Sequence, residues 1–314
     1  MRRAFLICAC AWALAACERQ GAASDVATSG EAYTLAPSDL AGFFDCLRER
    51  GQTIVAAHRG GPEPGFAENA IETFENTLRR APAVLEIDIS ESNDGVLVLM
   101  HDDDLDRTTT GTGLVREATL AELQVLQLED ETGQALDARI PTLRQALDWA
   151  AGRTVLELDV KRGVSYEDVV AEVRAADASE RVIFITYSVP AAIRVHRLAP
   201  ELMISTSIES EADLAELERA RVDLTRILAW TGIEEPNSAL NVALAQRGVE
   251  AMFGTLGGRN SWDNRFAESG DDQYAEFAEA GLQLISTDRV AAAARDLDAA
   301  DGVEGFGAEL CEGA

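Results

Sequence analysis

The chain has 314 residues, of which 47% are apolar and 26% charged, and 55 acidic against 27 basic side chains give a formal net charge of −28. This length and composition suit a globular protein with a substantial core, and they exclude both a disulfide-stapled miniprotein and a largely disordered chain. So negative a chain repels phosphate backbones and anionic membrane surfaces, which argues against nucleic-acid binding. An anionic substrate would therefore need a local cation.

The N-terminus has the pattern of an export signal over residues 1–16. Two arginines precede an apolar run, Ala4–Ala16, which is shorter than the roughly 20 residues that span a bilayer. The run ends in Leu14-Ala15-Ala16-Cys17, which resembles the lipobox of bacterial lipoproteins, in which the cysteine is acylated and becomes the first mature residue. We expect an exported lipoprotein that is anchored in a membrane and faces the periplasm or the cell exterior. The alternative is ordinary secretion after cleavage beside Ala15.

Residues 17–38 comprise the acylated Cys17 and a segment rich in Ala, Ser, Gly and Thr, which is typical of a flexible tether. We expect one folded domain over residues 39–314. Its two cysteines are Cys46 and Cys311, one near each end. An oxidising compartment permits a disulfide between them, and two free thiols are the alternative.

Short β-branched runs alternate with helical patterns throughout the domain. The runs predict nine strands: Thr53–Ala57, Val84–Asp88, Val96–His101, Thr154–Val160, Val182–Tyr187, Leu202–Ile208, Arg226–Trp230, Glu250–Thr255 and Leu282–Thr287. The helical patterns include Glu68–Arg80, Leu143–Ala150, Tyr166–Ala176, Glu211–Ala220 and Asp271–Ala280. Repeated alternation of strand and helix predicts a parallel sheet.

The gap between the second and third predicted strands is too short for a crossover helix and contains Asp94-Gly95, a strong hairpin signal. Without this return arm, eight strand and helix units remain, which predicts a (β/α)8 TIM barrel with a β-hairpin arm after strand 2. An open doubly wound sheet is the alternative. If Asp94 and Gly95 are the two loop residues, Asp88 lies directly opposite His101.

Two of the three histidines, His58 and His101, directly follow predicted strands. In a barrel this end of the strands forms the active-site face, which favours acid/base work by both side chains. The third, His196, lies within a helical pattern and is expected to be structural.

Carboxylates gather at the same level of the predicted barrel. Glu86 and Asp88 are two residues apart on one strand, and Glu157 and Asp159 repeat the spacing on another, so each pair shares a face. Several inward carboxylates repel one another unless a cation joins them, and oxygen donors favour Ca²⁺ or Mg²⁺ over zinc.

Arg59 and Lys161 are cations set among these acids. They are interpreted either as salt-bridge partners of Glu86 or Asp159, or as groups that capture a phosphate. The second interpretation, together with a divalent metal and two histidines, points to phosphoryl chemistry.

These residues stand in an ordered series of motifs that resembles the signature of glycerophosphodiester phosphodiesterases. The motifs are His58-Arg59-Gly60-Gly61, Ala67-Glu68-Asn69-Ala70-Ile71-Glu72-Thr73-Phe74, Glu86-Ile87-Asp88, Asp94 to Asp102, Leu105-Asp106-Arg107-Thr108-Thr109, Ile140-Pro141-Thr142-Leu143, Asp159-Val160-Lys161 and Ile285 to Arg289. The resemblance covers residues 58–289 and implies a (β/α)8 barrel, which agrees with the strand count.

The resemblance also implies roles by position. His58 and His101 would be the acid/base pair, and one divalent cation, Ca²⁺ or Mg²⁺, would neutralise a phosphate oxygen. The cation would be bound by Glu86, Asp88 and Asp159, and the phosphate would be contacted by Arg59 and Lys161. Which histidine is the acid stays open, as does the nucleophile, which is water or the glycerol 2-hydroxyl.

The chain departs from the family pattern at two positions. Asp159 stands where the family usually has Glu, so Glu157 on the same face is a candidate to contribute to the metal site or to replace Asp159. Ala70 stands where Thr is common. Glu68 and Asn69 are candidates to support the metal ligands from behind, and capping of the following helix is their alternative role.

Residues 102–139 correspond to a small insertion over the active-site face of the family. We expect it to shape the alcohol side of the pocket; the alternative is a plain loop with one helix, Leu120–Leu128. Trp230 ends a strand and is a candidate to contact the substrate, with core packing as the alternative.

The function expected from these observations is metal-dependent hydrolysis of soluble glycerophosphodiesters to glycerol 3-phosphate and an alcohol. The alternatives are a phospholipase of the related barrel type that acts on intact lipids, and a lipoprotein that binds phosphodiesters or metal without turnover. Membrane contact is expected through the N-terminal anchor only, and the oligomeric state stays open.

Overall fold

The computed structural model describes residues 32–301 and Cys311. The predicted signal over residues 1–16, the predicted acylation site Cys17 and the predicted tether as far as residue 31 lie outside the described residues. No helix in the described part of the chain is both long enough and apolar enough to cross a bilayer.

Eight parallel strands close into a barrel, because β1 pairs with β2 on one side and with β9 on the other. This closure confirms the predicted (β/α)8 barrel and excludes the open sheet. All nine predicted strands are present. They are β1 Ile54–Ala57, β2 Ala83–Glu91, β3 Leu97–Leu99, β4 Leu156–Val160, β5 Val182–Thr186, β6 Met203–Ser207, β7 Ile227–Trp230, β8 Glu250–Gly254 and β9 Leu284–Thr287.

Helices surround the barrel, and side-chain caps fix several of their starts. Thr142 and Gln145 form a capping box at the start of α4, and Ser165 caps α5, so that each satisfies backbone amides that lack a helical partner. The helices are α1 Leu40–Arg50, α2 Ile71–Leu78, α3 Leu120–Leu123, α4 Leu143–Ala150, α5 Tyr166–Ala175, α6 Val189–Leu198, α7 Glu211–Arg219, α8 Ser238–Ala245, α9 Trp262–Ser269, α10 Tyr274–Ala278 and α11 Val290–Asp301.

The hairpin arm has a three-residue loop where the sequence predicted two. The Ser92 amide donates to the Val96 carbonyl at 3.0 Å, and the Gly95 amide donates to the Ser92 carbonyl at 3.0 Å. Gly95 has φ 77°, the left-handed conformation that ends a three-residue hairpin loop. The loop therefore consists of Asn93, Asp94 and Gly95, one residue more than the predicted loop of Asp94 and Gly95.

The longer loop shifts the register of β2 and β3 by one residue. Ile89 pairs with Leu99, and the Asp88 carbonyl accepts from the Met100 amide at 3.0 Å. The prediction that Asp88 lies opposite His101 is therefore wrong.

The folded domain begins before residue 39. Leu35 is fully buried, its amide donates to the Arg153 carbonyl, and the Tyr33 amide donates to the Leu78 carbonyl. The end of the predicted tether thus packs against the barrel, because Leu35 is an apolar side chain that a tether would leave in water.

The insertion over residues 102–139 contributes Leu105, Val115, Leu123 and Leu128 to a small second core, which it shares with residues outside it such as Val98. Its helix is α3, four residues long. The predicted helix Leu120–Leu128 therefore ends early, and the rest of the segment is held by turns and isolated bridges.

The helix α1 packs against the N-terminal ends of the strands. Its Arg48 donates to Glu250, the first residue of β8, at 2.7 Å, and its Cys46 forms a disulfide with Cys311. The disulfide joins residues 265 positions apart, so it links both ends of the domain at the barrel end opposite the strand C-termini.

Reduction of the Cys46–Cys311 disulfide is expected to lower the melting temperature by several degrees. Closing so long a loop restricts the unfolded chain, an effect of up to about 5 kcal/mol. Thermal unfolding of the protein lacking residues 1–17, with and without reductant, measures the change, and Cys46→Ser should melt like the reduced protein. Non-reducing peptide mapping should link the two cysteines, and free thiols at both positions would contradict the bond.

Candidate active site

Four carboxylates lie side by side on two neighbouring strands. β2 and β4 pair in register, with Glu86 beside Glu157 and Asp88 beside Asp159. All four side chains are buried. The two-residue spacing on each strand therefore places the predicted acidic residues together, with Asp88 and Asp159 nearer the C-terminal ends of the strands than Glu86 and Glu157.

Three of these carboxylates form a group that is able to hold a metal ion. Donor oxygens of Glu86, Asp88 and Asp159 lie within 4.8 Å of one another. Burial, followed by the charges of the neighbouring carboxylates, raises the pKa of Glu86 well above its ordinary value. An all-oxygen, buried and electron-rich donor set fits a hard divalent cation, which would remove this repulsion.

Lys161 and Arg59 contact the acidic group, as the sequence anticipated for salt-bridge partners. The Lys161 ammonium lies 2.5 Å from both Asp88 and Asp159. The Arg59 amide donates to Glu86 at 2.7 Å, and its guanidinium donates to Glu68 at 3.0 Å. The Arg59 guanidinium also lies 4.0 Å from Asp88, so two cations face the three carboxylates.

Asn69 holds one of the candidate ligands in place. Its side-chain amide donates to the Asp88 carboxylate at 2.6 Å, and its carbonyl oxygen accepts from the Asp88 amide at 2.9 Å. The helix α2 begins after Ala70 without a side-chain cap. Asn69 therefore supports Asp88 and does not cap the helix.

Each of the two candidate catalytic histidines is hydrogen-bonded through Nδ1 to a carboxylate. His58 pairs with Asp288 at 2.7 Å, and His101 pairs with Asp102 at 2.6 Å. Burial opposes ionisation of Asp288, but the His58 hydrogen bond and charge outweigh it and lower the pKa of Asp288. These carboxylates orient the two rings and leave Nε2 of each free for another partner.

Arg107 connects the His101 side of the site to the Arg59 side. Its guanidinium donates to Asp102 at 2.6 Å and to both oxygens of Glu68 at 2.8 Å. Its hydrogen bond, followed by that of His101, holds the pKa of Asp102 well below the ordinary value although burial opposes this. Because Glu68 also binds Arg59, one chain of ion pairs runs from His101 to Arg59.

A cavity of about 200 Å³ opens beside the carboxylates. Its lining includes His58, Glu86, Asp159, Trp230 and Tyr187, so Trp230 lies where a substrate contact was predicted. His101 and the insertion over residues 102–139, both within the described part of the chain, are not among the lining residues. The insertion thus does not shape this cavity.

Tyr187 is a site residue to which the sequence analysis gave no role. Its hydroxyl donates to Asp159 at 2.7 Å, while 68% of the residue is exposed. The sequence likewise predicted no role for three residues of the motifs, Asp102, Arg107 and Asp288. Their positions could have indicated a role for two of these residues, because Tyr187 and Asp288 directly follow β5 and β9. In barrels, the C-terminal ends of strands carry functional residues.

Glu157 lies in the cavity wall without a hydrogen-bond partner. It is 1% exposed, and neither carboxyl oxygen accepts a hydrogen bond. Burial raises the pKa of Glu157 to about 7, against a smaller opposing effect of the nearby Ser205 hydroxyl. In the described part of the chain, the close group of metal-ligating oxygens does not include Glu157. His196, by contrast, lies in α6 and does not line the cavity.

Comparison with known proteins gives the family to which the site corresponds. Residues 58–230 match the model of the glycerophosphoryl diester phosphodiesterase family. A glycerophosphodiester phosphodiesterase of Caldanaerobacter subterraneus is 30% identical over 160 residues, which cover 49% of this chain and 65% of that protein. One from Bacillus subtilis is 26% identical over 178 residues, or 50% of this chain and 60% of that protein. The matched segments thus span a little under two thirds of these relatives.

A solved structure extends the similarity over most of the fold. The crystal structure of a glycerophosphoryl diester phosphodiesterase from Parabacteroides distasonis is 30% identical, with a TM-score of 0.77. The match covers 86% of this chain and 95% of that chain.

The metal-free protein is expected to lose stability as the pH rises from about 4.5 to about 7. The pKa of Glu157 is 4.5 in a model carboxyl and about 7 in the fold, so the fold favours the neutral form, and its ionisation costs up to about 3 kcal/mol. Glu157→Gln cannot ionise and should raise the melting temperature at pH 7.5 in EDTA but not at pH 4. Glu131→Gln in an exposed loop is the control. Wild-type and Glu157→Gln melting curves that shift in parallel with pH would contradict this.

Proposed function

The chain belongs to the glycerophosphoryl diester phosphodiesterase family, and on that premise we propose that it hydrolyses glycerophosphodiesters to glycerol 3-phosphate and an alcohol. The observation that carries the proposal is the pairing of His58 with Asp288 and of His101 with Asp102 around a carboxylate group suited to a cation. The substrates would be small and soluble, because the charge of −28 disfavours contact with anionic bilayers.

The two histidines supply the proton transfers that hydrolysis needs. When Nδ1 of a neutral ring donates to its carboxylate partner, Nε2 is a free base, and the same ring with both nitrogens protonated is an acid. One of His58 and His101 would take the proton of the nucleophile, and the other would protonate the leaving alkoxide. Asp288 and Asp102 stabilise the imidazolium form in either role.

Glu86, Asp88 and Asp159 would hold one divalent cation, Ca²⁺ or Mg²⁺. The cation would supply positive charge to the phosphate as negative charge builds on its oxygens. Lys161 and Arg59 would add to this charge, because both already lie against the ligand carboxylates. Tyr187 and Asn69 would keep Asp159 and Asp88 in position through their hydrogen bonds.

We further propose that the protein is an exported lipoprotein anchored through acylated Cys17. The lipobox-like Leu14-Ala15-Ala16-Cys17 supports this, and the Cys46–Cys311 disulfide suits an oxidising compartment such as the periplasm or cell exterior.

Release of glycerol 3-phosphate from glycerophosphocholine and glycerophosphoethanolamine tests the activity. The protein lacking residues 1–17 should release it with Ca²⁺ or Mg²⁺ and not with EDTA. His58→Ala and His101→Ala should each lower kcat by about 10² to 10⁴, because each removes a proton-transfer group. His196→Ala, which changes a histidine of α6 that has no part in the proposed proton transfers, should retain wild-type activity. Full activity of His58→Ala or His101→Ala would contradict the proposal. So would a folded wild type that releases no glycerol 3-phosphate with Ca²⁺ and none with Mg²⁺.

Acylation is tested by fatty-acid labelling of the full chain in a bacterial host. Wild type should incorporate label and sediment with membranes, whereas Cys17→Ala should lose both properties because the acceptor thiol is gone. Cys46→Ser, which changes a cysteine inside the domain, should keep the label. Unlabelled, freely soluble wild type would favour ordinary secretion.

A further inference from the structure

The cavity wall contains a carboxyl group whose hydrogen-bonding capacity is unused. Both oxygens of Glu157 are buried and accept no hydrogen bond of normal geometry, and the Ser205 hydroxyl is the protein donor near them. A buried polar group without a partner costs about 1–3 kcal/mol. Such a group in the wall of an open cavity is ready to accept hydrogen bonds from a bound molecule. The catalytic steps proposed above make no use of it.

The metal site does not account for this residue. In the described part of the chain, the oxygens that come within 4.8 Å of one another belong to Glu86, Asp88 and Asp159. Glu157 pairs in register with Glu86, beside this group. It is therefore placed to contact a part of the substrate next to the phosphate that the metal site would engage.

The neighbouring side chains indicate which part of the substrate this is. The cavity wall around Glu157 combines hydroxyl groups with apolar surface, from Thr186, Ser205, Ser207, Ser286, Met252 and Leu256. A short polyol matches such a wall, because its hydroxyls find polar partners while its C–H groups contact apolar atoms.

A cationic head group is a poorer occupant of the same position. A divalent cation beside Glu86 would repel an ammonium group next to Glu157, and the repulsion between charges a few ångströms apart is strong in a partly buried site. Neutral hydroxyls donate hydrogen bonds without this repulsion. Two adjacent hydroxyls also match the two unpaired oxygens of one carboxyl group.

We propose that Glu157 binds the vicinal diol of the substrate's glycerol moiety, with the 1- and 2-hydroxyls each donating to one carboxyl oxygen. Glu157 thereby selects glycerol diesters over simple alkyl diesters. This inference rests on the proposed function and adds a residue that determines which side of the diester enters the cavity.

Two matched substrates test the contact. Glycerophosphoethanolamine has the full diol, while its 2-hydroxypropyl analogue keeps the phosphate, the 2-hydroxyl and the ethanolamine leaving group but lacks the 1-hydroxyl. Wild type should prefer the first by at least about tenfold in kcat/KM. Glu157→Met, which removes both acceptors, should reduce this preference to about twofold or less. Glu157→Gln should fall between the two, because its carbonyl oxygen still accepts one hydrogen bond.

Glu250→Gln is the matched control. Glu250 is another buried carboxyl, and burial raises its pKa to about 7 as well, but it lies at the start of β8 and outside the cavity lining. It should keep the wild-type preference. The same loss of preference in Glu250→Gln and Glu157→Gln would show a general effect on the barrel and overturn the inference.

Metal binding separates the diol contact from ligation. Calorimetric titration of Glu157→Met with Ca²⁺ or Mg²⁺ should give a Kd within about twofold of wild type. A Kd about tenfold weaker would place Glu157 in the metal site and overturn the proposal, as would an unchanged substrate preference in Glu157→Met or no preference in wild type. Failure of wild type to hydrolyse glycerophosphoethanolamine would instead refute the proposed function.

Discussion

The in-register pairing of β2 and β4 is the constraint on which the site depends. It places two rows of carboxylates side by side inside the barrel, Glu86 with Glu157 and Asp88 with Asp159. Buried like charges destabilise a fold unless other groups compensate. The polar contacts around them supply that compensation: the Lys161 ammonium, the Arg59 amide, the Asn69 side chain and the Tyr187 hydroxyl. Because only the Lys161 ammonium among these groups carries a charge, they compensate the carboxylates in part, and an excess of negative charge remains in the site.

Ion pairs continue from the buried carboxylates to the second histidine. Glu68 lies between Arg59 and Arg107, and Arg107 continues to Asp102 and His101. The second hydrophobic core, which residues 102–139 share with Ala67 and Val98, lies beside the segment that carries His101. The ion pairs therefore join the barrel interior to this segment, so that both histidines keep fixed positions relative to the acidic group.

The sequence predicted the barrel and the acidic group because both depend on local spacing. Residues two apart on a strand share a face, and each β-branched run became a strand. The hairpin register was wrong because Asn93-Asp94-Gly95 makes a three-residue loop as readily as Asp94-Gly95 makes a two-residue one. His58 pairs with Asp288, which lies 230 residues away in the sequence. Whether Glu157 finds a hydrogen-bond donor depends on the orientation of the side chains around it. Neither follows from spacing.

Two buried carboxylates, one inside the cavity wall and one outside it, show how position decides role. Glu250 meets Arg48 from α1 at 2.7 Å, so its charge is compensated within the fold and joins the helix to the barrel. Glu157 is equally buried but lines the cavity, and neither of its oxygens accepts a hydrogen bond of normal geometry. A carboxyl that the fold leaves unsatisfied in the wall of the cavity is best explained by the molecule that enters there.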